Sequence, residues 1–526
     1  MLAGNKSSDF IKRVQMITKL YSAALRGVDA FEVEVEVNAR GSETPCVIIV
    51  GLPDAAVRES SQRVTSAILA SALELNLGIK TVNLAPADLK KEGPSFDLPI
   101  ALAMVGASGT EAMETEDYCV VGELGLDGTV RPVKGTLSIA LQARASGRKF
   151  LVVPEANAAE AAVIEGIDII PVKNLRQAWD FISGEKRIAP FVLDRRAFFE
   201  SRRSYPVDFN EVKGQQHVKR ALEVAAAGGH NILMVGPPGT GKSMLAKRIP
   251  SIMPDMTEED AIETTKIHSI TGHLDTKKNF LTTRPFRAPH HTISDAGLLG
   301  GGTNPGPGEV SLAHHGVLFL DELPEFRRGT LEVMRQPLED RHVTISRAAG
   351  SLTFPANFML VAAMNPCPCG FYGDSKRQCR CSVRQIENYR QRISGPLLDR
   401  IDIHVEVPLV DFKELTSDTL TGESSAVIRE RVSTARQIQV DRFKVDKLTT
   451  NSAMGSKQVR AHCQLDAESK GYLEHAMEQM NFSARAHDRI LKVSRTLADL
   501  AGKQDITGNE ILEAIQFRSL DRQLFE

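Results

Sequence analysis

The sequence predicts an α/β protein with a helical C-terminal region, and three observations carry that expectation. Strand-like and helix-like segments alternate from about residue 18 to 187. The apolar run at 231–235 leads directly into a glycine-rich loop and then a helix. Over the last 70 or so residues the apolar positions recur at helical spacing, most clearly at 489–500.

Taken in order, residues 1–17 are polar and unpatterned, a tail. Residues 18–187 form one α/β domain with its own core. Residues 31–37 alternate apolar and charged side chains, as a half-buried strand does. Cys46–Val50 is expected as a buried strand, 55–75 as a helix, 81–84 as a strand, and 99–105 as the start of another helix. Further strands are expected at 150–153 and 167–171. The basic, irregular stretch 188–207 is a linker. A second α/β block spans 208–412, with a cysteine-bearing insert at 366–382. The remainder, 413–526, is expected to be a helical domain that opens on a charged stretch running to about 455. Thr507 with Glu510 three residues on is a capping box for the last helix.

Bulk composition narrows the function. A chain of 526 residues accommodates two to four domains. Lys and Arg total 64 against 66 Asp and Glu, so any nucleic-acid contact must come from local patches. Lys6, Asp9, Lys12, Arg13 and Lys19 interrupt any apolar leader, and no apolar run reaches the ~20 residues a bilayer span needs. No membrane partner is expected. Four of the seven cysteines cluster between Cys367 and Cys381, which indicates a metal site in a reducing cytoplasm rather than a disulfide framework.

The chemistry begins at 231–243. Gly236, Pro237, Pro238, Gly239, Thr240, Gly241, Lys242 and Ser243 complete a phosphate loop between strand and helix. Its glycines let successive N–H groups turn inward, and the helix that follows aims its positive end at the same point. Lys242 is placed to reach the β and γ phosphates of ATP, and Ser243 to offer its hydroxyl to Mg²⁺. Residues 317–322 form a second apolar strand that ends in two carboxylates. Asp321 is expected to hold Mg²⁺ through water, and Glu322 to deprotonate the attacking water. A third strand, 358–363, ends near Asn365, which is expected to hold that water or else is an ordinary turn residue. Arg400, in the run 396–402, suits an arginine finger inserted from a neighbouring subunit; the alternative is a salt bridge to Asp399 or Asp402. Arg485, at a helix start, is expected to fold back onto the γ phosphate, or else is a solvated helix-end charge. Val212, Gly214 and Gln215, just before the first helix of the block, are expected to wall the adenine pocket.

This order of motifs resembles the magnesium-chelatase-like branch of the AAA+ ATPases. Residues 18 to about 522 are similar throughout to the ComM/YifB family. The matching stretches are VGLPDAAVRES (50–60), VNLAPADLKKEGPSFDLPIAL (82–102), RPFRAPHHTISDAGLLGGG (284–302), PCPCGFYGD (366–374) and ISGPLLDRIDIHVEVP (393–408). The resemblance implies an AAA+ P-loop core with a parallel sheet, a C-terminal helical lid, and a homo-hexameric ring with ATP bound between subunits. It also implies a β-hairpin at 342–355, with Arg347 near its tip, that projects into the pore and touches DNA. For the ComM branch it implies a helicase that drives branch migration as transforming DNA is integrated. The N-terminal domain resembles the Lon-protease/ribosomal-S5-like fold, with Glu92-Gly93-Pro94-Ser95 at the position of the Lon serine motif. Where that motif's lysine should fall, this chain reads Thr136-Leu137-Ser138-Ile139, and Lys134 comes too early. A serine without an adjacent base is not a nucleophile, so no protease activity is expected.

Cys367 and Cys369, then Cys379 and Cys381, form two close pairs that suit tetrahedral Zn²⁺. Four free thiols and an iron–sulfur cluster are the alternatives. The segment is basic, through Lys376, Arg377, Arg380, Arg384, Arg390 and Arg392, and suits a DNA-contacting knuckle. His290-His291 and His314-His315 invite a metal reading, but neighbours on an extended chain are expected to point their rings to opposite sides, so one metal rarely takes both; the first pair, beside Arg284 and Arg287, suits a pore or DNA-facing loop. Three functions fit: an ATP-driven motor on single-stranded or branched DNA, a chelatase-type subunit, and a chaperone-like regulator without helicase activity.

Overall fold

The computed structural model describes residues 17–42, 44–109, 113–201, 204–272, 274, 280–302, 305–347, 350–374, 377–410, 422–480 and 482–521. The chain divides into two compact units. The first comprises residues 1–201 with 262–281, and the second comprises 202–261 with 282–526.

The first unit is built on a seven-stranded mixed sheet. Its strands lie in the order Cys46–Val50, Ile79–Ala85, Asp29–Arg40, Ile17–Arg26, Tyr118–Val120, Phe150–Pro154, Asp168–Val172. Ile17, assigned to the tail from sequence, opens the fourth of these. The long hairpin at the centre shows why alternation dictates a strand. Val33, Val35 and Val37 all face the core, while Glu34 and Glu36 face out and pair with Lys19 across the ladder at 2.7 and 2.9 Å. Cys46–Val50 departs from the expectation of a buried strand. It is the sheet's edge: Cys46, Ile48 and Val50 are exposed, and only Ile79–Ala85 pairs with it. A run of β-branched residues specifies a strand but not which position in the sheet it takes. The helix Ala55–Ala70 starts at Asp54, which accepts from Val57 N at 2.8 Å, and the helix Asp97–Gly106 is buried on every side.

Residues 262–281, placed in the ATPase block from sequence, pack in the first unit. Ser269 Oγ donates to the Glu160 carboxylate at 2.5 Å and accepts from Gly135 N at 3.0 Å. Burial raises the pKa of the Glu160 carboxyl above the usual carboxylate range, against the bonds from Ser269, Leu137 N and Asn157. Within the span read as an irregular linker, Arg195–Ser201 is helical.

The second unit holds a five-stranded parallel sheet in the order Phe286–Arg287, Val317–Leu320, Met359–Met364, Ile232–Val235, Ile403–Glu406. Val317–Leu320, Met359–Met364 and Ile232–Val235 are buried throughout, as strands covered on both faces must be. A separate two-stranded hairpin, His342–Arg347 with Gly350–Pro355, turns Val343 and Phe354 inward. Its other face carries exposed Thr344, Ser346, Ser351 and Thr353. Ala348 and Ala349, between its two strands, lie outside the described residues.

Helices Ser425–Arg442, Ala467–Gln479, Ala484–Leu500 and Gly508–Gln516 follow. The expected charged stretch thus contains an 18-residue helix, and its earlier part, 411–421, lies outside the described residues. Each start is fixed by a polar residue: Ser424, Asp466 and Ser483 accept from the N–H three residues on. Glu510 closes back on Thr507 N at 2.9 Å. Among the described residues no helix is long and apolar enough to cross a membrane.

Candidate functional site

Ligands of open parallel sheets bind beyond the carboxyl ends of the strands, where the strand order reverses. In the second unit, Ile232–Val235 ends at Gly236, Val317–Leu320 at Asp321, and Met359–Met364 at Asn365. Neighbouring strands in parallel register bring those three ends together.

Gly236 is required by close approach: a Cβ there would lie 2.3 Å from Val407 O. Gly239 and Gly241 take φ of +81° and +85°, the left-handed region glycine favours. At Gly239 a Cβ would meet nothing within 4 Å, so the loop backbone faces open space as a phosphate cradle must. Gly241 caps the helix Lys242–Ile252. Lys242 Nζ donates to Gly236 O at 2.7 Å, Pro237 O at 2.8 Å and Asn365 Oδ1 at 3.3 Å. Burial lowers its pKa, and the Asp321 and Glu322 carboxylates oppose that shift. Ser243 Oγ donates to Asp321 Oδ2 at 2.6 Å. A hydroxyl and a carboxylate oxygen this close are the hard oxygen donors Mg²⁺ takes, so these residues fit the ion. Thr240 Oγ1 donates to Pro237 O at 3.0 Å. Gln215 Nε2 bridges Thr240 O and Pro408 O at 3.0 and 2.9 Å, joining the loop to the segment after the last strand. Val212 is buried with its carbonyl held by Lys219 Nζ, and Gly214 takes φ +62°.

Glu322 has a left-handed backbone, φ +53°, and its amide donates to Asp321 Oδ1 at 3.0 Å. That conformation is uncommon for a non-glycine residue, and such backbones cluster at functional sites. Sequence reading missed its neighbour: His291 Nδ1 lies 3.3 Å from Glu322 Oε2. The rings of His290 and His291 lie side by side with centroids 4.1 Å apart, and those of His314 and His315 at 3.9 Å. The expected opposite orientation fails because neither pair is on an extended strand; His291 lies in a turn and His315 has φ +55°.

Neither of the two arginines bonds a residue of this convergence. The Arg400 guanidinium is held by Glu339 and by Pro396 O. It pairs with neither Asp399 nor Asp402, the partners considered from sequence. Asp399 pairs with Arg485 at 3.4 Å instead. Asp402 is buried between Arg489 at 2.5 Å and His230 at 2.8 Å. Burial alone would raise the Asp402 carboxyl; Arg489 and His230 override it and hold it far below the usual carboxylate range. Arg485 is two-thirds exposed and pairs with Asp399 at 3.4 Å.

The four cysteines converge. Cys367 Sγ lies 3.4 Å from Cys369 Sγ and 3.7 Å from Cys379 Sγ, and Cys369 lies 3.6 Å from Cys379. All four sulfurs, Cys381 included, fall within 4.8 Å of one another. Sulfurs each about 2.3 Å from one zinc sit about 3.8 Å apart at the tetrahedral angle, so the cage fits the ion. The N–H groups of Arg380 and Phe371 point at Cys369 Sγ and bring its pKa down to about 6, while desolvation and the neighbouring sulfurs push Cys379 and Cys381 up.

Residues 208–415 match the family model for magnesium chelatase, subunit ChlI; 33–157 match subunit ChlI of Mg-chelatase; and 422–518 match the ChlI C-terminal model. Over nearly the whole chain the sequence is similar to the uncharacterized protein YifB of Escherichia coli K12, at 42% identity over 507 residues (96% of this chain, 97% of that one). It is also similar to competence protein ComM of Haemophilus influenzae, at 43% over 511 residues (96% and 98%). The chain belongs to the ComM/YifB family. As a ComM/YifB protein it has an AAA+ ATPase core of the magnesium-chelatase type, which implies ATP and Mg²⁺. An uncharacterized protein of Mycobacterium tuberculosis H37Rv shares 37% over 502 residues (95% and 98%).

Proposed function

We propose that this chain is an ATP-driven motor that works on DNA in the cytoplasm, as a homo-hexameric helicase promoting branch migration during integration of transforming DNA. The convergence of Lys242, Ser243, Asp321, Glu322 and Asn365 at one sheet edge carries the ATPase part. In this reading Lys242 neutralises charge on the terminal phosphates, and the Glu322 carboxylate takes the proton from the attacking water. Asn365 orients that water from the neighbouring strand end, and His291 orients Glu322. Gln215 braces the loop, with Val212 and Gly214 beside it. Bound Mg²⁺, held through Ser243 and Asp321, supplies electrostatic stabilisation of the phosphates. Arg400 completes the site of the next subunit, where it exchanges Glu339 for a phosphate, and Arg485 leaves Asp399 to close the lid.

The DNA part is supported by the relative whose name is competence protein ComM, and by the hairpin His342–Pro355 with its exposed row of hydroxyls. Hydroxyl side chains contact phosphate and sugar, which suits a motor indifferent to sequence. The cysteine cage holds structural zinc, and its basic flanks track the same backbone. In this reading the first unit has no protease activity, because the stretch Thr136-Leu137-Ser138-Ile139 offers no lysine to activate Ser95 and Lys134 comes too early.

The test is ATP hydrolysis by the full chain with and without single-stranded or branched DNA, alongside strand displacement on a branched substrate. Stimulation and displacement are expected, with Arg347→Glu keeping basal hydrolysis and losing the stimulation. A second reading, a chelatase-type or chaperone-like AAA+ regulator without helicase activity, is favoured by the ChlI models that match three segments. Hydrolysis indifferent to DNA but raised by a protein partner selects it.

A further inference from the structure

The cysteine cage and the phosphate loop touch. Gly370 stands at φ +83°, and a Cβ built there would lie 2.6 Å from Pro238 Cδ and 3.2 Å from its Cγ. Only a bare glycine backbone can sit that close to the proline ring, so the cage is moulded to the tip of the phosphate loop. The Gly370 amide donates to Cys367 O at 3.0 Å, tying this contact to the buried end of the cage. A second connection leaves the cage in the other direction. Cys367 is two residues past Asn365, whose Oδ1 takes the Lys242 ammonium at 3.3 Å. The same strand end supplies Met364 O, which accepts the Gly236 amide at 3.2 Å. Arg390 Nε donates to Pro366 O at 3.4 Å, holding the residue between Asn365 and Cys367 from the helix Val383–Arg390.

We propose that the metal in the Cys367–Cys369–Cys379–Cys381 cage clamps the phosphate loop, so that its occupancy sets the affinity for nucleotide. The proposal rests on the nucleotide reading above and extends it to regulation of that site. The physical basis is cross-linking. Four sulfurs on one ion cross-link the two cysteine pairs into a rigid cage, and without the ion that cross-link is gone. A relaxed cage withdraws Gly370 from Pro238 and frees Asn365 from its place beside Lys242. The loop then takes up several backbones, one of which presents its N–H groups to phosphate, and affinity falls by that fraction. Small displacements of residues that orient a binding group commonly cost 10- to 100-fold, which sets the scale.

The experiment uses the purified full chain, metal-loaded and metal-stripped. Stripping is by an organomercurial that displaces thiolate-bound zinc, then thiol reductant and gel filtration, with Mg²⁺ supplied equally to both samples. A fluorescent ATP analogue reports affinity, elemental analysis reports zinc, and far-UV circular dichroism reports the fold. The expected result is one zinc per loaded chain, at least five-fold weaker analogue binding after stripping, unchanged circular dichroism, and recovery when Zn²⁺ returns. Gly370→Ala, with zinc retained, is expected to weaken binding in the same way. Equal affinity of loaded and stripped chains overturns the clamp, as does failure to take up zinc, or loss of the whole fold on stripping. Analogue binding by Lys242→Ala at parental strength overturns the nucleotide reading itself, and the clamp with it. That outcome is separable, because it appears in the zinc-loaded chain.

Discussion

Glu322 is where residue-scale chemistry is most exposed to test. Its carboxylate ends a buried strand, on a left-handed backbone, 3.3 Å from the His291 ring. Glu322→Gln removes the base and keeps the shape, so nucleotide binds while steady-state hydrolysis falls by roughly 10²–10⁴. Lys242→Ala acts earlier, on binding, and the analogue titration separates the two. His291→Ala should leave affinity alone and lower kcat, by up to ~10²-fold if the ring fixes the carboxylate. Stopped-flow hydrolysis with saturating ATP reads this, and an unchanged kcat removes His291 from the site. The loop 236–243 was legible in the sequence because its chemistry is local: glycines, lysine and serine act at fixed offsets on one turn of chain. His291 was not legible, since it meets Glu322 across 31 positions and only the order of strands brings it there. Glu339, the partner of Arg400, escaped notice for the same reason.

At the scale of elements, the helix Ala484–Leu500 is fastened to the sheet by a buried ionic cluster. Asp402, just before the strand Ile403–Glu406, takes Arg489 from that helix and His230 from beside Ile232–Val235. His230 Nε2 in turn meets Thr496 Oγ1 at 2.8 Å. Asp402→Asn leaves the half-buried Arg489 without its counter-charge, at a cost of up to about 3 kcal/mol in urea-unfolding stability. The pH dependence follows from the depressed carboxyl. Its folded pKa lies below the unfolded value of about 3.9, so the stabilisation is complete above that value and drains away as pH falls through the folded pKa. The parent should therefore lose stability on acidification below about pH 4–5, and Asp402→Asn should show a shallower loss over the same window. Equal slopes would mean the carboxylate carries no folding linkage. Elements were legible where periodicity or capping is strong: Val33, Val35 and Val37 announce their strand, and Glu510 its helix. They were not legible where burial decides. Cys46–Val50 reads as core and lies at an edge, and Ser425–Arg442 hides in charge because only a narrow stripe, Ser425, Ile428, Val432, Ala435 and Gln439, is buried.

For the whole molecule, the decisive geometry is that neither arginine bonds its own phosphate loop. Arg400 is engaged by Glu339 and Pro396 O, and Arg485 by Asp399, while Lys242, Ser243, Asp321 and Asn365 meet one another. A site with its lysine but no arginine at the γ phosphate hydrolyses slowly, and a guanidinium supplied in trans restores roughly 10³–10⁵ in rate. If the family's ring forms, each interface joins the Glu322 of one subunit to the Arg400 of the next in a head-to-tail contact. Arg400→Ala and Glu322→Gln are then each inactive alone for opposite reasons. In an equimolar mixture, a working site needs intact Glu322 on one side and intact Arg400 on the other. Random assembly supplies that combination at about one interface in four, so about a quarter of parental turnover should return if sites fire independently. Hydrolysis per chain, measured across mixing ratios, should peak at equal amounts and vanish at both ends. A flat line at the sum of the two variants would show that Arg400 serves only its own subunit, and the shared site would have to be abandoned.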